Sequence, residues 1–474
     1  MCGAAMLGHM AGGGQAVVSF GDIITPRAAA YNPRTGDFLA ARQVGGYNGC
    51  GDNMNGIVKT FGSITSRQVA KAPLRARRLL RWAYRLTGAQ ARFFPRRRFL
   101  RAREGMMAAA TASVANAMRQ TPGAAIVNAF LPCEILHAMD IRPMFPEGMA
   151  VYFTAAASEQ PFVEAAERAG VPESYCSYHK VLIGAAVSGV LPAPDVVLHT
   201  TLACDANRLT FARLAEHYGV PRFCIDVPNR ETPQTIIYVA NQLREMAAFL
   251  QQHTGRRLDE DALQAAVARS QRTILRYREY LRLRADTSVP TDMTGEMLPL
   301  FSNHVLLGSQ AAEQYAHGLV RDIQRLAAER KPTRILWMHT MPNWQAALND
   351  LFHRHRDLEL VGCDLAYDAL VDIDPRRPYE AMAQRLLANT LNGPAERRID
   401  ATLQMARQLA AGGVIYYNHW GCKSTMGAAQ LAKKKLEANG FPTLVLDGDG
   451  CDSGNVSDGQ QVTRVQAFLE QLGA

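Results

Sequence analysis

Three cysteines, Cys176, Cys204 and Cys422, are the residues of this chain best placed to do chemistry. They stand in Tyr175-Cys176-Ser177-Tyr178, in Leu202-Ala203-Cys204-Asp205 and in Asn418-His419-Trp420-Gly421-Cys422-Lys423. Cys204 and Cys422 each follow a short apolar run that reads as a strand and precede a helix-like segment, while Cys176 opens the helical stretch that begins at Tyr178. Such thiols should collect at the carboxyl edge of parallel sheets, where open α/β proteins bind ligands. Their separations, 28 and 218 residues, match no zinc-finger spacing. Three thiolates meeting between two domains suit a soft, thiolate-loving centre, an iron–sulfur cluster before zinc. Three ligands for four irons would leave one iron open, which is what a reactive site needs. The competing reading is that each is an ordinary buried thiol, as Cys224 and Cys363 are expected to be from their places within or at the end of strand-like runs.

The elements that must position these thiols come in two series. Ala124–Phe130, Ala150–Thr154, Asp195–Thr200 and Phe223–Val227 are short apolar runs separated by helical patterns, a βαβ series. After Cys204, Phe211, Leu214, Ala215 and Tyr218 share one helix face, with Asp205 or Asn207 as cap and Gly219 as stop. A longer helix follows, with Asp259, Glu260 and Asp261 at its start and Leu263, Val267, Ser270, Ile274, Tyr277 and Leu281 along one face. Arg334–Thr340, Leu358–Gly362, Gly413–Asn418 and Thr443–Asp447 then form a second strand series. The organisation expected is an N-terminal Gly-rich and Arg-rich region (1–120), a first α/β domain (121–255), a helical bridge (256–330) and a second α/β domain (331–474).

Composition narrows the function classes. At 474 residues and 48% hydrophobic content the chain can bury several cores, and 20% charged residues are too few for a disordered protein. No apolar run approaches the roughly 20 residues of a membrane span, and Met1–Gly14 lacks a secretory pattern, so a cytoplasmic location is expected. The nine cysteines include no C-x-x-C pair, which argues against disulfides. The net charge of +9 is local: Lys71–Glu104 alone carries +11, so the other residues sum to −2. With no reading motif beside it, this basicity does not indicate nucleic acid. Pro73, Gly88 and Pro95 should break it into short helical pieces with a solvated face and buried aromatics. The loop-forming Gly45–Gly56 has neither a Walker ending nor a dinucleotide-binding G-x-G-x-x-G context.

From about Pro132 to Leu472 the chain resembles the 2-hydroxyacyl-CoA dehydratase family, which includes subunits of ATP-dependent benzoyl-CoA reductase. The likeness is strongest to the larger subunit of 2-hydroxyglutaryl-CoA dehydratase. It is carried by Phe130–Leu136, Phe145-Pro146-Glu147, Tyr175–Tyr178, Cys204 with Phe223–Pro228, Thr254–Asp261, Tyr417–Lys423, Leu446–Asp449 and Thr463–Gln466, in that order. The resemblance implies two flavodoxin-like or Rossmann-like domains with parallel sheets, and a [4Fe–4S] cluster held by Cys176, Cys204 and Cys422, its fourth position open to water, hydroxide or substrate. It also implies a second homologous subunit, an ATP-dependent iron–sulfur activator protein that injects one electron, and an acyl-CoA substrate.

That electron answers a chemical difficulty. In a 2-hydroxyacyl thioester the β-hydrogen is barely acidic and hydroxide leaves poorly from the α-carbon. One electron on the thioester carbonyl gives a ketyl radical anion that can expel the α-hydroxyl; the β-hydrogen is then acidic enough for a base, and the electron returns at the end. The implied activity is dehydration of an (R)-2-hydroxyacyl-CoA to a 2-enoyl-CoA. Glu147 matches a family acid near the active site, and Asn128, Ala129, Cys133 and Glu134 fall in the implied substrate-binding region. Ala129 stands where family members carry a serine, so either Asn128 takes over that role or the reaction differs. His419 and Lys423, beside Cys422, are donors able to shift a cluster's potential or bind phosphate. The alternatives are a reductase subunit of the benzoyl-CoA type and a non-catalytic iron–sulfur or zinc protein.

Overall fold

The computed structural model describes residues 29–31, 38–40, 51–96, 99–354 and 357–473. β1 (Ala29–Tyr31) and β2 (Phe38–Ala40) form a small antiparallel pair. The rest is built on two four-stranded sheets. The first contains β3 (Ala124–Val127), β4 (Arg142–Met144), β5 (Val196–Thr200) and β6 (Arg222–Ile225), in the order β4-β3-β5-β6 and all parallel. The second contains β7 (Thr333–Met338), β8 (Leu358–Cys363), β9 (Gly413–His419) and β10 (Thr443–Gly448), in the order β10-β9-β7-β8 and again all parallel. Each sheet begins at an inner strand, adds its second strand on one side and its third and fourth on the other. This is the doubly wound order of flavodoxin-like sheets, and the expected α/β class with two parallel-sheet halves is borne out.

Strands β3, β5, β7 and β8 are buried along their whole length, as parallel strands covered on both faces must be. That is why they read as continuous apolar runs rather than alternating ones. Two assignments change. Ala150–Thr154, read as a strand, lies inside the helix Pro146–Ala155, whose Met149, Ala150, Phe153 and Thr154 are buried. A short apolar run carries no periodicity to separate the two states, and Pro146 in the first helical turn decides it. The strand found instead, β4, is the edge strand Arg142-Pro143-Met144, where a proline costs no central ladder bond.

The Arg-rich region also differs from expectation. Pro73 starts a single helix, Pro73–Phe93, that runs through Gly88 and pairs with the helix Arg101–Ala117. Gly88 marks close approach rather than a break: a Cβ there would lie 2.7 Å from Thr111 Oγ1. Leu80, Tyr84 and Phe99 are buried, but Trp82, Phe93 and Phe94 are exposed, against the expected burial. Gly45–Cys50 and Arg97–Arg98 lie outside the described residues; from Gly51 onward the expected loop is already the helix Gly51–Lys71.

Between the sheets in sequence come four helices, Pro233–Thr254, Glu260–Arg284, Met293–Asn303 and Gln310–Ile323. The second buries Leu263, Val267, Ser270, Ile274, Tyr277 and Leu281, the stripe read from spacing, and Asp259 caps it by accepting from Asp261 N–H at 3.0 Å. A buried ion network ties these helices to β8. Glu296 accepts from Arg103 (2.6 Å) and Arg284 (2.8 Å), and Arg284 reaches Glu359 at 3.3 Å. Burial alone would push the Glu296 carboxyl up, but the two guanidiniums pull it down to about 2.

Candidate active site

In a doubly wound sheet the loops diverge between the first strand and the strand at which the order reverses, leaving a crevice at their carboxyl ends. In the first sheet that crevice lies between β3 and β5. Asn128, one residue past β3, is fully buried and clamps it: Nδ2 donates to Thr200 Oγ1 (3.2 Å) and Leu202 O (3.1 Å), and Oδ1 accepts from Thr200 N–H (3.1 Å). Both amide hydrogens are thus committed to this frame. Leu202 O also accepts from Asn207 Nδ2 at 2.8 Å. Cys204 follows as the residue before the helix Asp205–Tyr218, which ends at Gly219 in the left-handed region (φ 64°). The cap position therefore belongs to Cys204 itself, while Asp205 sits in the first turn and Asn207 pins the incoming loop.

In the second sheet the crevice lies between β7 and β9, and Cys422 stands just past β9 at the start of the helix Lys423–Ala438. Cys176 belongs by sequence to the crossover between β4 and β5, yet its loop is fastened to the second sheet. Gly421 packs on it so closely that a Cβ would lie 2.7 Å from Cys176 N and 2.8 Å from Cys176 Cα, and its φ of +76° favours glycine as well. The hydroxyl of Ser177 donates to Asp449 Oδ1 in the loop after β10. The same oxygen accepts from Cys451 N–H and Asp452 N–H, both at 3.0 Å. Tyr178 meets the ring of His419 edge-on at 5.2 Å.

His419 closes the arrangement. Its Nε2 lies 3.3 Å from Cys176 Sγ and its Nδ1 accepts from Gly450 N–H at 3.1 Å. His339, past the end of β7, stacks on it at 6.1 Å and holds φ at +84°, a strained value for a residue with a side chain. Asp364 Oδ1 accepts the His339 backbone N–H (2.7 Å), and the same carboxylate is paired with Arg398.

The electrostatics of the thiols are mutual. Burial pushes the Cys176 thiol up, and the neighbouring Cys422 and Cys204 push it further. Cys204 rises to about 12, through burial first and Cys422 second. Cys176 and Cys204, both held up in this way, favour the thiolate only if positive charge sits beside them, which a bound metal centre would provide. Among the described residues no three His, Cys, Asp or Glu side chains form a group that could hold a single metal ion.

Glu147 lies beside them. Its Oε1 accepts the backbone N–H of Ala129 at 3.2 Å, its Oε2 is buried without a partner, and it interacts with Cys204. Burial raises its carboxyl to about 8, the backbone bonds offsetting only part of that. It is therefore mostly protonated at pH 7. Ala129 contributes its N–H to this corner, not a side chain. Cys133 is fully buried and precedes the short helix Glu134–Ala138. Glu134 is held by Ser270 Oγ (2.8 Å) of the helix Glu260–Arg284 and by Arg385 (3.6 Å) of the helix Pro378–Ala388. Cys224 is half-buried in β6 and Cys363 buried at the end of β8; Lys423 is exposed. His339, Gly421 and Asp449 were not singled out by their chemistry in the sequence, although Gly421 and Asp449 lie within segments that carry the family resemblance.

Two doubly wound sheets, with Cys204 just past β5, Cys422 just past β9 and Cys176 beside both, make this a two-part α/β protein with three neighbouring thiols at the joint. The family model described as 2-hydroxyglutaryl-CoA dehydratase, D-component, matches residues 128–472, and the chain belongs to that family. Lactoyl-CoA dehydratase subunit alpha of Anaerotignum propionicum is 25% identical over 385 residues, covering 72% of this chain and 89% of that protein. The (R)-phenyllactyl-CoA dehydratase alpha subunit of Clostridium sporogenes is 24% identical, covering 72% and 88%. A benzoyl-CoA reductase chain of Thauera aromatica is 22% identical, covering 74% and 89%. The family read from the sequence is borne out.

Proposed function

We propose that this chain is the iron–sulfur subunit of an ATP-activated, radical-type (R)-2-hydroxyacyl-CoA dehydratase, with Cys176, Cys204 and Cys422 holding a [4Fe–4S] cluster. The observation that carries the reading is the gathering of three mutually interacting thiols at the switch points of both sheets, beside a carboxyl group that keeps its proton at pH 7. When bound, the cluster supplies one-electron chemistry and a Lewis-acidic iron that no protein side chain fills.

The chain's own residues handle the proton. Glu147 gives its Oε2 proton to the departing α-hydroxyl, which leaves as water, and the carboxylate so formed takes the β-proton, restoring the acid. Ala129 N–H keeps Oε1 fixed so that Oε2 is the working oxygen. Asn128 and Asn207 hold the Leu202 carbonyl, and with it the loop that carries Cys204. The relatives named as alpha subunits support a companion subunit, and an ATP-dependent activator supplies the electron. Among the described residues no helix is long and apolar enough to cross a membrane.

Iron, sulfide and zinc analysis of anaerobically purified protein, with EPR of the dithionite-reduced state, tests the reading. About four irons and four sulfides per chain, with a signal altered by a 2-hydroxyacyl-CoA, are expected. Zinc alone, or no metal, would sink it. A reductase of the benzoyl-CoA type is the second reading, and Ala129 favours it: the position has no hydroxyl, and the neighbouring Asn128 amide hydrogens are already bonded. ATP consumed in proportion to product, rather than only on activation, would select the reductase.

A further inference from the structure

We infer that His419 is a fixed hydrogen-bond donor to the Cys176 sulfur, locked in its Nε2–H form by the backbone N–H of Gly450, and that it raises the reduction potential of the centre those cysteines hold. The inference rests on the cluster reading for its consequence but not for its geometry. A backbone N–H can only donate, so Gly450 N–H, 3.1 Å from Nδ1, requires a lone pair on that nitrogen. The proton of the neutral ring then sits on Nε2, which faces Cys176 Sγ at 3.3 Å.

The alternative form would need an acceptor for an Nδ1 proton, and the neighbourhood offers two oxygens. Asp449 Oδ1 lies 4.0 Å from Nδ1, beyond hydrogen-bond reach, and already accepts from Ser177 and two backbone N–H groups. The carbonyl of Gly448 accepts Trp420 N–H at 2.8 Å and has a second lone pair within reach of the ring. Gly450 N–H pointing at the same ring nitrogen decides between the forms. Tyr178 packs edge-on against the imidazole at 5.2 Å and His339 lies nearly parallel to it at 6.1 Å. At 1% exposure His419 is shielded from water, so its bond to sulfur is not diluted by competing donors.

A donor aimed at a thiolate stabilises the more negative, reduced state of the centre and so raises its potential. His419 acts through Cys176 and is a positioning residue. The test uses full-length protein as wild type, H419N and H419Q. The asparagine amide can answer Gly450 but is too short to reach Cys176, whereas the glutamine amide reaches the Nε2 position. Iron content should be unchanged in both. The one-electron midpoint should fall in H419N by about tenfold in the reduced-to-oxidised ratio, about 59 mV, and H419Q should recover most of the shift. An unmoved midpoint in H419N with full iron overturns the proposal. Ring 15N NMR of the iron-free wild type gives a second, metal-independent readout: a protonated Nε2 with a bare Nδ1 is expected, and a protonated Nδ1 overturns it. Wild-type protein without iron would instead defeat the cluster reading, with the ring spectrum still deciding His419.

Discussion

Glu147 offers the sharpest test of the acid–base role. Its carboxyl rises from an ordinary 4.5 to about 8, and each unit is worth about 1.36 kcal/mol between the two protonation states. Because the folded value lies above the unfolded one, the folded protein is relatively favoured below about pH 4.5 and loses that advantage as pH climbs to about 8. At pH 7 the unfolded chain has released this proton and the folded protein mostly has not, a cost of about 3 kcal/mol; above pH 8 it levels off near 5 kcal/mol. Glu147→Gln keeps the shape and the acceptor for Ala129 N–H but removes the titration. Its stability relative to wild type should therefore rise by about 1.4 kcal/mol per pH unit across that window and be flat outside it. Urea unfolding at a series of pH values, in iron-free protein, measures the slope; dehydration activity should fall by about 10² or more. A stability difference independent of pH between 5 and 8 would mean that Glu147 titrates as an ordinary carboxylate and is no proton store.

Three further outcomes are expected. Cys204→Ala should abolish iron binding, whereas Cys224→Ala and Cys363→Ala should retain it and cost about 1 kcal/mol of packing; equal iron loss in all three would refute the ligand assignment. Gly421→Ala should lose about 1–2 kcal/mol through its left-handed backbone alone and, by pushing the Cys176 backbone away, lower iron content, read by thermal unfolding and iron assay. Glu296→Ala leaves Arg103 and Arg284 buried without their shared carboxylate and should cost about 3–5 kcal/mol in urea unfolding.

The strands that carry the site were legible because both faces of a parallel sheet are covered, which writes continuous apolar runs such as Val196–Thr200 and Gly413–Tyr417 into the sequence. The helix Glu260–Arg284 was legible for the opposite reason, a one-sided stripe with a 3.6 period. Ala150–Thr154 had neither signature, being short and buried on several sides, and β4 hid behind its arginine and proline. At the site, cysteines announce themselves by type and by their place after a strand. Gly421 and Asp449 do not, because their work is to hold the Cys176 loop, a partner some 245 to 273 residues away. Contacts of that range have no local pattern. Asn128, expected in the substrate-binding region, spends its side chain on three bonds to Thr200 and Leu202, partners more than 70 residues away that no local pattern reveals.

The placement of Cys176 explains why the loop after β10 is so heavily bonded. The helix Ser177–Val187 packs in the core of the first half, through Val181, Leu182 and Ala185, so Cys176 moves with that half unless something crosses the joint. Beside the His419 ring, the polar contacts that cross here come from residues 449–453. Asp449 takes Ser177, Asp452 takes Gln160 at 2.8 Å and Lys180 at 3.4 Å, Ser453 donates to Glu159, and Cys451 O accepts from Thr154 at 3.2 Å. Together they fix the first half's Cys176 against the second half's Cys422, while Asn128 and Asn207 separately fix Cys204 within the first half. The proposed cluster needs three sulfurs from two halves held at one place, and this polar seam is what ties the Cys176 loop to the second half.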